Sequence, residues 1–423
     1  MTAAGRAESK IFYGWWIVVA SGVGLAMHYG PIIVPTFGVF LKPLSQEFGW
    51  SRAQISLAFS LSVLGVTLIL PFIGRLVDRF GARRIILPSV LLFGLCILSL
   101  ALLSAHLWHF YVVYLLMGVV ASGTTPVPYS KVISRWFDQR RGLALGLAAG
   151  GSALSAAFMP SVAQALITAV GWRQAYMLLS LMAVGVAIPV VGLLLKETPQ
   201  MLGLGPDGED IGQTKTLTQH SQEEGLSFSE ARHTNAFWLM IGAFFLMSVV
   251  FHGCIIHLVP LLTDRGLSAQ SAALAASVLG TGALAGRVGV GYLLDRLFAP
   301  SVAVCFFCGS TLGLSLLWSE ASGGLAFAAA VLIGLGQGAE LDLIPYLVSR
   351  YFGLRAFGEI YGYAFAVFTF GGVLGPLLMG TGFDATGSYG LGLGVLAVAA
   401  LTAAGLMTRL GPYRLWQPMA EAA

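Results

Sequence analysis

The sequence predicts an all-α membrane protein whose twelve transmembrane helices form two pseudo-symmetric six-helix bundles. Three observations lead there. Of 423 residues, 57% are hydrophobic and only 10% charged, whereas soluble domains carry about a quarter charged residues. Twelve stretches are long and apolar enough to cross a bilayer, which takes about 20 residues of helix. Short motifs from the first half of the chain also recur, in the same order, in the second half.

The stretches, spans 1 to 12, fall at 12–41, 51–79, 84–105, 108–136, 141–168, 173–196, 236–263, 268–295, 300–320, 323–351, 357–383 and 388–411. An even number brings both termini to one side. Lys and Arg gather in short cytoplasmic loops. With the N-terminus inside, Arg6, Lys10, Arg75, Arg79, Arg83, Arg84, Lys131, Arg135, Arg140, Arg141, Lys196, Lys215, Arg232, Arg296, Arg350, Arg355, Arg409 and Arg414 are cytoplasmic, and only Lys42, Arg52, Arg173 and Arg265 fall outside. The expectation is a multi-pass protein of the cell's inner (plasma) membrane with both termini cytoplasmic. The net charge of +4 then reflects topology and implies no nucleic-acid partner.

Span 1 is too long and aromatic for a signal sequence and no small-residue cleavage site follows it, so it is retained. Cys96, Cys254, Cys305 and Cys308 all lie within spans, which argues against a disulfide framework. The Cys305/Cys308 spacing reads as two small apolar fillers of span 9, with no metal or cofactor expected.

Residues 197–232 are the one long polar segment, from Glu197-Thr198-Pro199 to Glu223-Glu224, and read as a cytoplasmic linker between an N-terminal bundle (1–196) and a C-terminal bundle (233–423). Its end, Leu226 to Arg232, suits a short interfacial helix. Across the linker, His28-Tyr29-Gly30-Pro31-Ile32-Ile33 matches Phe251-His252-Gly253-Cys254-Ile255-Ile256. Gly74-Arg75-Leu76-Val77-Asp78-Arg79 matches Gly291-Tyr292-Leu293-Leu294-Asp295-Arg296, Arg135-Trp136-Phe137 matches Arg350-Tyr351-Phe352, and Pro160 matches Pro376. The four pairs are offset by 215 to 223 residues, which marks an internal duplication.

The run Gly74 to Arg84, with its second copy at Gly291 to Arg296, resembles the loop 2–3 signature of the major facilitator superfamily. That resemblance implies that Asp78 meets the start of span 11 and Asp295 the start of span 5, in a cytoplasmic gate of Asp78, Arg79 and Arg135 with Asp295, Arg296 and Arg350. Two further segments, Tyr13-Gly14-Trp15-Trp16 and Trp136 to Ala148, are similar to the monocarboxylate transporter family (solute carrier family 16) and its bacterial relatives, including the oxalate:formate antiporters.

Arg287 lies within span 8, eight residues before Asp295 and so about 12 Å along the helix. A lipid-facing Arg there would cost at least ~2.5 kcal/mol, so it must face a wet cavity or a partner. Gly280, Ala283 and Gly291 leave room on its face, and its planar fork suits a carboxylate. The resemblance implies that use, the alternative being a structural pair with Glu340 or Asp342. The animal family places an Asp one turn before this arginine, where Ala283 stands, so any coupled proton must ride elsewhere.

Glu340 and Asp342 are the acidic residues well inside a span, and two residues of helix turn them about 200° apart. They and His257 are the proton-coupling candidates, with Glu340 favoured to restrain Arg287 in the empty site. His257 is also the preferred imidazole beside the substrate, ahead of His28 and His252. Tyr129, Tyr346 and Tyr361 can donate to a carboxylate while offering an apolar ring, or simply pack. Trp15, Trp16, Trp108 and Trp136 read as interfacial anchors, and Lys131 as a snorkelling cation.

No Gly-rich nucleotide-binding motif and no nucleophile–base constellation is present, so neither ATP hydrolysis nor another enzyme activity is expected. The resemblance implies a secondary transporter, functional as a monomer, that takes a small carboxylate together with protons. An oxalate:formate-type antiporter, or a sensor without net transport, remains an alternative at this stage.

Overall fold

The computed structural model describes residues 12–208, 225–319 and 323–413. The middle of the linker, with Lys215, Glu223 and Glu224, and the terminal charges Arg6, Lys10 and Arg414 lie outside the described residues. Twelve helices among the described residues suit a membrane span by length and composition. Spans 1 to 6 are Gly14–Ile33, Gln54–Phe80, Ala82–Leu100, Leu107–Trp136, Arg141–Val170 and Trp172–Leu194. Spans 7 to 12 are Asn235–Asp264, Leu274–Leu294, Ala299–Trp318, Gly324–Phe352, Phe357–Thr386 and Gly390–Thr408.

The packing repeats with a shift of six spans. Span 1 packs on 5 and 6, span 2 on 4, and span 3 on 4 and 6; span 7 packs on 11 and 12, span 8 on 10, and span 9 on 10 and 12. The halves meet chiefly where span 2 lies against span 11 and span 5 against span 8, again related by the shift. Helices are the only open-ended elements that satisfy their own backbone polar groups in lipid. Their outward faces carry exposed Leu68, Phe72, Leu181, Leu193 and Leu401, as a hydrocarbon solvent requires.

Two spans depart from the uninterrupted helices expected. Span 1 breaks after Ala26, where His28 is extended (φ −94°, ψ 177°), and resumes at Tyr29. Span 4 breaks after Ala121 through a tight 3₁₀ turn, and Thr125 is extended (φ −66°, ψ 172°). Pro126 explains the second break, because its ring disfavours helical backbone at the residue before it and suits the first position of a new helix. Spans 7 and 10, their counterparts, run unbroken. Non-helical backbone at membrane depth is tolerated where it lines a cavity.

At the end of the bundle that carries the linker, Trp136 is fully buried and its Nε1–H donates to the Lys196 carbonyl at 2.9 Å. It fastens span 4 to the end of span 6 and is no interfacial anchor, whereas Trp108 is exposed. The linker's far end forms a short helix, Phe228–Ala231, opened by a reciprocal cap between Ser227 and Glu230. Phe228 stacks on Tyr363 with ring centroids 4.2 Å apart, and the Leu226 N–H donates to the Phe352 carbonyl at 2.8 Å.

Candidate functional site

The breaks in spans 1 and 4 open onto a cavity of about 310 Å³ between the two halves. The repeated hexamers meet there: His28, Tyr29 and Gly30 line it from one half, Phe251 and His252 from the other. Span 4 adds Thr125, Pro126 and Ser130, span 8 adds Arg287, span 10 adds Gln337, Glu340 and Asp342, and span 11 adds Phe365, Phe368 and Thr369.

Arg287 is half-buried, and its Nη1–H donates to the Ala149 carbonyl of span 5 at 2.9 Å, across the junction of the halves. No ion pair joins it to Glu340 or Asp342 among the described residues. The structural pair weighed as the alternative is therefore not formed, and most of the five guanidinium N–H donors stay available. Both carboxyl groups are nonetheless inside, Glu340 1% and Asp342 2% exposed, and Glu340 Oε1 and Asp342 Oδ2 have no hydrogen-bond partner. Both line the cavity with Arg287, and Asp342 lies within electrostatic reach of the guanidinium.

The helix packing sets their placement. Gly334 of span 10 sits against the Leu279 carbonyl and Gly338 against the Ala283 carbonyl, both on span 8, and a Cβ at Gly338 would also lie 2.9 Å from the Arg287 nitrogen. Asp342 continues this stripe one turn further and so lies on the face of span 10 that packs against span 8, while Glu340 reaches the cavity from a different face of the helix.

The imidazoles are placed differently from their expected order. His28 Nδ1–H donates to the Leu25 carbonyl at 2.6 Å, an interaction made possible by the helix break, and the ring lines the cavity. His252 Nδ1–H donates to the Ser248 carbonyl at 2.9 Å and also lines it. His257 does not line the cavity. Its Nε2 bonds the Pro376 carbonyl at 3.1 Å and its Nδ1 lies 3.3 Å from the Tyr389 hydroxyl, which ties span 7 to span 11 and the start of span 12. A substrate contact at His257 finds no geometric support.

Of the tyrosines, Tyr361 is fully buried behind the cavity wall, with its hydroxyl beside Ser130 and within electrostatic reach of Asp342 and Arg287. Tyr129 is equally buried, but packs against Gly24 of span 1 instead of lining the cavity. Tyr346 is absent from the cavity wall. Its hydroxyl donates to the Leu294 carbonyl at 2.6 Å, near the linker side.

On the linker side the halves are held together by two related contacts. Asp78 accepts from the Gly358 and Glu359 N–H groups at 2.9 and 2.8 Å, at the start of span 11. Asp295 accepts from the Gly142 and Leu143 N–H groups at 2.7 and 3.0 Å, at the start of span 5. A carboxylate at a helix N-terminus meets unsatisfied N–H donors and the positive end of the helix dipole. Glycines permit the approach: a Cβ at Gly142 would lie 2.6 Å from the Gly291 carbonyl oxygen, and one at Gly358 2.5 Å from that of Gly74.

The contacts are not equivalent in charge. Lys131, expected to snorkel, is 1% exposed and donates to Asp78 at 2.6 Å, and Asp295 has no lysine in that place. Arg350 crosses the junction to Asp138 Oδ1 at 2.9 Å, and Arg141 reaches Ser349 at 3.0 Å. Arg135 instead pairs with Glu197, the first residue of the 197–232 segment, at 3.3 Å and does not reach the other half. Arg79 and Arg296 are exposed, lying over the rings of Phe80 and Tyr292, so neither takes part in closing the junction. Lys131, Asp138 and Arg141, which do, had no signal beyond their place near the Arg135 to Gly142 run.

The comparisons with known proteins agree on the class. The family model for the Major Facilitator Superfamily matches residues 15–376. Human monocarboxylate transporter 11 is 28% identical over 391 residues, covering 89% of this chain and 79% of that protein. Monocarboxylate transporter 13 of Bos taurus is 29% identical over 409 residues, covering 94% and 89%, and the Escherichia coli MFS-type transporter YhjX is 25% identical, covering 80% and 82%. Among solved structures, the proton:xylose symporter XylE superposes with a TM-score of 0.73 at 14% identity, covering 95% of this chain and 96% of that one. The E. coli fucose:proton symporter FucP gives 0.68 at 16%, covering 94% and 97%; identities this low speak to the fold.

Proposed function

We propose, from the premise that the chain belongs to the Major Facilitator Superfamily, that it moves small monocarboxylates across the inner membrane by alternating access, with a proton as coupled ion. It is a multi-pass membrane transporter and not an enzyme, as its relatives are transporters. The observation that carries the substrate reading is Arg287: a guanidinium at membrane depth, opening onto the cavity between the halves and unpaired with the nearby acids. The similarity to monocarboxylate transporters 11 and 13 supports it.

In this reading the halves 1–196 and 233–423 rock about the cavity, and the 197–232 linker faces the cytoplasm. The Asp78 and Asp295 contacts hold the cytoplasmic side shut. Asp342, once deprotonated, draws the guanidinium from the Ala149 carbonyl that holds it here and so restrains the empty carrier; a proton on Asp342 leaves Arg287 free for an incoming carboxylate. A dicarboxylate exchanger would call for a second deep cation, and span 11 has none.

The test is Arg287→Gln in purified protein. Loss of charge-assisted contacts at about 1.5–3 kcal/mol each should weaken monocarboxylate binding by at least ~10-fold, up to ~100-fold. Arg287→Lys should recover part of it, since charge is kept and the fork lost. Wild-type affinity in a folded Gln variant refutes the assignment.

A further inference from the structure

We propose that the substrate this cavity prefers carries a protonated amine beside its carboxylate, because Arg287 shares the cavity with two buried carboxyl groups and a surplus of acceptors that lack donors. The proposal rests on the reading of Arg287 as the carboxylate site and narrows its substrate class to α-amino acids with apolar side chains.

The argument is one of donor and acceptor balance. Glu340 Oε1 and Asp342 Oδ2 are buried without partners. The Thr125 hydroxyl donates to the Ser122 carbonyl at 2.7 Å and the Thr369 hydroxyl to the Phe365 carbonyl at 2.8 Å, so both present lone pairs, not hydrogens, to the cavity. His28 uses Nδ1–H on the Leu25 carbonyl, which leaves Nε2 of the neutral ring an acceptor. Against these stand the remaining N–H groups of Arg287, the Gln337 amide and the Ser130 and Ser152 hydroxyls of the wall, with the Tyr361 hydroxyl beside Ser130 and none of them carrying a positive charge except Arg287. With Glu340 neutral in its buried, unpartnered place, Arg287 and an ionised Asp342 balance; a bare carboxylate answers Arg287 but adds two more acceptor oxygens and leaves one negative charge uncompensated unless a proton joins Asp342. An ammonium group supplies three donors and the missing positive charge.

Geometry favours both charges on one small molecule. Arg287 and Asp342 line the same cavity without forming an ion pair among the described residues, so an adjacent carboxylate and ammonium can each meet a group of opposite charge there. The ammonium then stands on Asp342 where a coupled proton would for a plain acid. Phe251, Phe365 and Phe368 line the same cavity and can receive an apolar side chain. Its volume, about 310 Å³, is at the small end for ligand pockets, which fits a single amino acid.

The experiment compares acids that differ only by the α-ammonium: propionate with alanine, 3-methylbutanoate with valine, and 3-phenylpropionate with phenylalanine. Each is titrated into the purified full-length transporter, and binding is read from the shift in thermal unfolding. The amino member of the best-bound pair should bind at least ~10-fold more tightly, as one charge-assisted hydrogen bond implies, and in Asp342→Asn the ratio should fall toward one. Equal or tighter binding of the plain acid in the wild-type protein overturns the proposal and leaves the carboxylate reading standing. No response to either member of any pair overturns both. The wild-type comparison decides the matter even if Asp342→Asn fails to fold.

Discussion

Replacing Asp78 and Asp295 separately by Asn should open the linker side of the transporter by different amounts. Each carboxylate bridges the halves through two backbone N–H groups. For Asp295 the change removes the charge and turns one of the two accepting oxygens into an NH2 donor, so only one of the two N–H bonds survives. Burial also raises this carboxyl above its ordinary range, opposed by the Gly142 and Leu143 N–H groups. Some desolvation cost is therefore relieved on neutralisation, and the low end of the range for charged hydrogen bonds applies, about 1.5 kcal/mol or a tenfold shift. Asp78→Asn does more, because it strands Lys131, 1% exposed, beside a neutral amide. Breaking a buried pair costs about 3–5 kcal/mol; Asp78 is itself 14% exposed, so about 3 kcal/mol, or roughly a hundredfold, is expected. The assay uses Ser349→Cys, a buried position bonded to Arg141 across the junction, in a background lacking the four native cysteines. Labelling by an impermeant maleimide from the linker side should accelerate about tenfold in Asp295→Asn and more in Asp78→Asn, until it saturates. Asp78→Asn with Lys131→Met should fall back to the Asp295→Asn level. Unchanged labelling in both single variants refutes the latch; equal labelling in the two, or no rescue by Lys131→Met, refutes the stranded charge.

The remaining predictions use the same close contacts and cavity. Gly358→Ala and Gly142→Ala place a methyl group 2.5 and 2.6 Å from a carbonyl oxygen of the opposing half. Overpacking of this kind costs about 1–3 kcal/mol, so both should speed Ser349→Cys labelling, while Gly405→Ala, which meets nothing within 4 Å, should not; three equal rates would count against the close approach. For coupling, Asp342→Asn should retain counterflow of a plain acid at symmetrical pH but lose its accumulation driven by external acidity, and Glu340→Gln should keep both. The opposite pattern would return the proton to Glu340.

The twelve spans and the duplicated signature were legible because they depend on composition and local order, which a linear reading preserves. Depth was legible too: counting residues from Asp295 placed Arg287 inside the membrane, and it lines the cavity. What the linear reading could not supply was the lateral neighbour. His257 and His28 look alike as lone histidines in spans, and the difference between them is a helix break at residues 27–28 on one side and bonds to Pro376 and Tyr389 on the other. Lys131 looked like a surface cation because its partner, Asp78, lies on another helix. The choice between Glu340 and Asp342 shows where a clue was present but unused. Gly334, Gly338 and Asp342 are spaced four residues apart and so share one face of span 10. Small residues at that spacing mark the face on which a neighbouring helix closes in, and here that neighbour is the segment of span 8 that carries Arg287. An acid that continues a glycine stripe lies on the face that packs against the neighbouring helix, so the stripe, joined to the position of Arg287, is the sequence feature that supports the proposed exchange at Asp342 over one at Glu340.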